Sequence, residues 1–194
     1  MTKVNIERIE NLTPEELEAR AREIEAFVKK DYREHRAMMN ALAEGPVDKK
    51  PEIIITDYRT VEKYLHSLNY YGFLDSKTYI ISFYGEEEHK VNFKDCKAHV
   101  CQILLDDVIA KDYDKFYEEH KDTFIILARF IVNAVANGNR IICQCEAGVS
   151  RSAGVAKAIK EYFFGTGSEI DKDGSYVPND LFFQCVLRAI LEIE

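Results

Sequence analysis

IICQCEAGVSRSAG, residues 141–154, changes character twice within one short stretch. Ile141, Ile142 and Cys143 read as a buried strand that includes Arg140 and ends at Cys145, because β-branched and small apolar residues run together without a polar face. Glu146-Ala147-Gly148-Val149-Ser150 is a tight loop, and Arg151 opens an alanine-rich helix running to about Phe164. Five residues between Cys145 and Arg151 can curl so that their backbone N–H groups converge on one point, an anion-binding nest. The N-terminus of the following helix adds its dipole to the same point. Gly148 allows a positive φ that a side chain would resist. Arg151 can fork two hydrogen bonds onto an oxyanion, the same field stabilises a thiolate at Cys145, and Ser152 stands where it can donate to that sulfur.

Working outward, a layered α/β pattern begins at Pro51. Strands are expected over 52–56, 77–83, 98–105 and 140–145, and helices over 59–67, 113–137, 151–164 and 179–191, the last capped by Asn179. The expectation is a three-layer domain with a central, largely parallel sheet of four to five strands between helices, and a site at the carboxyl end of the strand carrying Cys145. Before it, Thr13-Pro14-Glu15-Glu16 supplies a capping box and an N1 proline, and Leu17, Ala21, Ile24, Phe27 and Val28 recur at helical spacing. Residues 1–50 therefore read as a helical extension packed on a main domain, and residues 51–194 as that domain.

A net charge of −8 over 194 residues argues against nucleic acid or an anionic membrane as partner, since both need a basic face. An anionic substrate requires only a positive site locally. No apolar run is long enough for a membrane span, no signal peptide stands at the start, and five cysteines without regular spacing do not form a disulfide framework, so a reducing cytoplasm is expected. The Cys143/Cys145 pair lacks a nearby histidine and a second pair at zinc spacing, so no metal and no cofactor are expected. His35, His66, His89, His99 and His120 are scattered and are given no catalytic role.

Cys145 to Ser152, CEAGVSRS, resembles the Cys-x5-Arg-Ser/Thr phosphate-binding loop of protein-tyrosine phosphatases, most of all the compact dual-specificity subgroup and its bacterial or viral relatives. The resemblance extends in element order from about Pro51 to the C-terminus. It implies a Cys145 nucleophile, an Arg151 clamp, Ser152 assisting the sulfur, and phosphate held by residues Glu146, Ala147, Gly148, Val149, Ser150 and Arg151. It also implies a general acid after an earlier strand. Gln102-Ile103-Leu104-Leu105-Asp106-Asp107 ends in two carboxylates, and aligning strand ends puts Asp107 in that place, with Asp106 as the alternative. The implied activity is hydrolysis of phosphotyrosine, with or without phosphoserine and phosphothreonine, on a protein or peptide. Two departures stand out: Gln144 replaces the usual histidine before the nucleophile, and the chain has no tryptophan for a Trp-Pro-Asp loop. The rival readings are a rhodanese-like sulfurtransferase, which also cradles a cysteine, and a phosphopeptide-binding or interaction module with weak activity.

Overall fold

A computed structural model of the chain describes residues 3–6, 50–66, 74–108 and 112–193. The chain divides into two units, one of residues 1–6 with 51–194 and one of residues 7–50. The helix expected from Thr13 onward lies outside the described residues.

Among the described residues, five strands form one sheet: β1 (Lys3–Ile6), β2 (Glu52–Asp57), β3 (Thr78–Tyr84), β4 (His99–Leu104) and β5 (Arg140–Cys145). Their spatial order is β1-β4-β3-β5-β2 and every pairing is parallel. The edge strand β1 was not assigned from the sequence, because four residues offer too little periodicity to distinguish from a loop. The central strand β3, TYIISFY, is buried along its whole length, as a parallel strand covered on both faces requires.

The helices are α1 (Tyr58–His66), α2 (Tyr113–Glu119), α3 (Lys121–Asn137), α4 (Arg151–Phe164) and α5 (Asp180–Ile193). The sheet face presenting Ile81, Phe83, Ile103, Ile141 and Cys143 packs with Phe124, Leu127, Ile131, Val155, Ile159, Phe182 and Val186 in the larger core. The opposite face, with Ile80, Val100 and Ile142, meets Val61 of α1 and Val91, Phe93 and Cys96 in a smaller one. Helices therefore cover both faces, as expected.

One expected helix is two. The backbone breaks at His120 (φ −118, ψ 16), which ends α2 and begins α3. The bend turns Phe116, Tyr117 and Phe124 toward the same core, with ring centroids 6.2 Å (Phe116–Phe124) and 6.1 Å (Tyr117–Phe124) apart, a packing gain that overrides continuous helix propensity.

An all-parallel sheet sends the carboxyl ends of its strands to one edge. The turns after β2, β3, β4 and β5 therefore meet there, and the site is built from those four ends.

Candidate active site

Cys145 closes β5 with its side chain 1% exposed, and its Sγ lies 3.1 Å from Oγ of Ser152, in the first turn of α4. The five residues between Cys145 and Arg151 make the turn. Gly148 sits at φ +68, and a Cβ there would come within 2.5 Å of the Asp57 nitrogen and the Thr56 carbonyl carbon. A glycine is thus needed twice, for the left-handed backbone and for the close seat on the end of β2. That end is itself held. Asp57 accepts the Thr60 amide at 2.9 Å and the Thr60 hydroxyl at 2.9 Å, capping α1. Burial works to raise the Asp57 carboxyl, but the bonds from Thr60 and from the backbone of Asp57 and Arg59 together outweigh it and hold the group below the usual aspartate value.

A strap from the far end of the chain fixes the loop's second half. The Val177 amide donates to the Val149 carbonyl at 3.1 Å, and the Ser150 carbonyl accepts from Gly154 at 2.9 Å and Asn179 at 3.1 Å. Gly154 lets that strap approach, since a Cβ would stand 2.5 Å from the Asn179 carbonyl oxygen. Among the described residues, the backbone N–H groups of residues 146–150 donate to no protein acceptor, which leaves five donors in one short loop.

Arg151 is 3% exposed, and its Nη1 donates to the Leu105 carbonyl at 2.7 Å, tying the guanidinium to the end of β4. Its Nε is buried without a hydrogen-bond acceptor. The nearest opposing charges are Asp107 Oδ2, 3.8 Å from Nε, and Glu146 Oε2, 3.9 Å from Nη2, both too far for hydrogen bonds. A buried guanidinium with an unused N–H is costly, and a tetrahedral oxyanion beside the loop amides is the kind of partner that would satisfy it.

Both carboxylates after β4 lie at this edge, in different settings. Asp107 Oδ1 accepts from Ser150 Oγ at 2.9 Å and Asn179 Nδ2 at 2.8 Å, while Oδ2 is the oxygen nearer Arg151. Asp106 Oδ1 faces Gly85, just past β3, close enough that a Cβ there would stand 2.6 Å from it. Asn179 was expected as a helix cap, and its Oδ1 does accept the Leu181 and Phe182 amides at 3.0 and 3.2 Å. Its second role, donating to Asp107 and to the Val108 carbonyl, carried no signal in the sequence.

Two further residues differ from expectation. Gln144 is fully buried, and neither its amide nitrogen nor its amide oxygen has a hydrogen-bond partner among the described residues. It is registered between Thr56 and Ser82 on the neighbouring strands. His89, given no role from the sequence, places Nδ1 3.3 Å from Glu146 Oε1 with an alignment that is not that of a hydrogen bond, and packs its ring 5.0 Å from that of Tyr58. Cys143 faces the larger core, where burial, with the neighbouring Cys145 adding to it, pushes its thiol far above the ordinary range; burial pushes Cys101 up to about 12.

No family model matches the chain, and no curated protein matches it. Several solved structures do. A human tyrosine phosphatase-like serine/threonine/tyrosine-interacting protein is 20% identical over 57% of this chain and 74% of its own, with a TM-score of 0.43. DUSP15 is 18% identical over 74% and 86%, with a TM-score of 0.47, and Tk-PTP in its active form is 14% identical over 75% and 95%, with a TM-score of 0.45.

Proposed function

We propose that the chain hydrolyses phosphate monoesters on proteins or peptides, phosphotyrosine first and phosphoserine or phosphothreonine with it, through a phosphocysteine at Cys145. One observation carries this reading: a buried cysteine sulfur, five unengaged loop amides and a buried guanidinium with a spare N–H meet at one strand end. That donor set suits a dianionic tetrahedral group, and a phosphate held by it would have the sulfur as its neighbouring nucleophile.

In the first step the Cys145 thiolate attacks phosphorus in line. The S–P bond forms, the P–O ester bond breaks, and Asp107 passes a proton to the leaving oxygen. Oδ1 of Asp107 is already held by Ser150 and Asn179, which leaves Oδ2 as the oxygen that carries the proton. In the second step water attacks the phosphocysteine and gives its proton to the Asp107 carboxylate, while the S–P bond breaks. Ser152 donates to the departing sulfur from 3.1 Å. Arg151 and the loop amides hold the equatorial oxygens throughout. A cytoplasmic setting and independence from metal belong to the same reading.

Hydrolysis of a phosphotyrosyl peptide with excess chelator tests it. The wild type is expected to turn over, Cys145→Ser to be inactive, and Asp107→Asn to lose about 10²–10⁴ in rate. Full activity in Asp107→Asn with loss in Asp106→Asn would transfer the acid role. Peptide binding without turnover would instead identify a recognition module, and sulfur transfer from thiosulfate a rhodanese-like enzyme.

A further inference from the structure

The ring of charge around the candidate site has the wrong sign for a substrate that is acidic beyond its phosphate. Glu146 reaches from the loop with 46% of its side chain exposed, between His89 Nδ1 at 3.3 Å and Arg151 Nη2 at 3.9 Å. Glu88, 74% exposed, stands 3.8 Å from the other ring nitrogen of His89. Glu86, Glu88 and His89 bring their polar atoms within 4.8 Å of one another. Gly85, which precedes them, abuts Asp106, and Asp107 Oδ2 stands 3.8 Å from Nε of the guanidinium. Asp107 and Glu146 thus border the buried arginine directly, at 3.8 and 3.9 Å, and Glu86 and Glu88 join the same rim through His89, which touches Glu146.

Among the described residues, the cations nearby are turned to other partners. Lys90 is turned to Glu87 at 3.3 Å and lies over the Tyr84 ring, while Arg59 lies over the Tyr58 ring. His89 is shared between two glutamates. Arg151 itself is buried, with Nε unpartnered, so its charge is held for a bound phosphate rather than for the surface. Among the described residues, the site is positive at its floor and negative at its mouth. Charges at the mouth act over roughly 8 Å at physiological salt, which spans the residues flanking a bound phosphoresidue.

We infer that the site selects phosphopeptides with lysine or arginine beside the phosphorylated residue and rejects those with acidic flanks. This rests on the phosphatase reading and adds to it a substrate class. Selection works through both signs: basic flanks pair with Glu86, Glu88 and Glu146, and acidic flanks meet like charge there.

Two phosphotyrosyl peptides, identical except for Lys/Arg or Glu/Asp flanks, are titrated onto full-length Cys145→Ser protein. The basic peptide is expected to bind about tenfold tighter at low ionic strength, each exposed pair adding a small factor. The preference is expected to collapse near 1 M salt, where screening acts within ~3 Å. Glu86→Gln combined with Glu88→Gln is expected to narrow the ratio at least about twofold while leaving wild-type-background hydrolysis of para-nitrophenyl phosphate unchanged, because that substrate has no flanks. Equal binding, preference for the acidic peptide, or a ratio indifferent to the double substitution would overturn the inference. Failure of the wild type to hydrolyse any phosphate ester would remove the catalytic reading alone, since the binding ratio reports the rim independently of turnover.

Discussion

Asn179 donates its side-chain amide to Oδ1 of Asp107 at 2.8 Å, joining the start of α5 to the end of β4 across 72 residues of sequence. The same side chain caps α5 through its oxygen, so its two ends do separable work. Asn179→Asp keeps the cap acceptor but replaces the donor with a carboxylate facing Asp107. Its melting temperature is expected to fall at neutral pH, where two carboxylates face each other, and to recover as pH drops and one protonates, while turnover falls about tenfold or more. Asn179→Ala is expected to lose both, with about 1 kcal/mol of stability gone as well. Thermal melts beside steady-state rates separate the two.

Ser152 is expected to matter most when sulfur leaves. A hydroxyl donating to a charged group is worth about 1.5–3 kcal/mol, so Ser152→Ala is expected to slow phosphocysteine hydrolysis by roughly 10–100-fold and to spare its formation. Rapid mixing should then show a burst of leaving group followed by slow release. A variant slowed equally in both steps would contradict that role.

Gly148 cannot take a side chain cheaply. Its left-handed backbone costs a non-glycine residue roughly 1–2 kcal/mol, and a Cβ would press on the Asp57 amide and the Thr56 carbonyl carbon, each at 2.5 Å. Gly148→Ala is expected to lower the urea midpoint and to abolish most activity, because the loop must lift off β2 and its amides then diverge. Activity within twofold of wild type would refute the seating described for this loop.

The cap on α1 carries a pH signature. The Asp57 carboxyl lies below its ordinary value in the folded chain, so its contribution is complete above the unfolded value of about 3.9 and is lost as pH falls through the lower folded one. Asp57→Ala is expected to cost about 1 kcal/mol at neutral pH, and the gap from wild type should close as pH drops below about 4. Urea unfolding at the two pH values measures this.

What could be read along the chain was what the chain holds contiguously. Cys145, the loop, Arg151 and Ser152 occupy eight successive positions; the strand ends and the helix begins where the sequence reading put them, at Cys145 and Arg151. Apolar strands alternating with amphipathic helices likewise identify a parallel layered sheet, since only such a sheet buries both faces of runs like TYIISFY. The break at His120 was not visible, because no glycine or proline marks it between residues 113 and 137 and only the shared aromatic core asks for a bend.

Tertiary structure alone decided the strand order, the place of β1, the seat of Gly148 on β2, the Asn179 clamp on Asp107 and the approach of His89 to Glu146. Each joins segments with no local pattern linking them, and their meeting follows from a parallel sheet that gathers its carboxyl ends at one edge. Spacing along a chain specifies which groups one turn can bring together; folding specifies which charges then surround them.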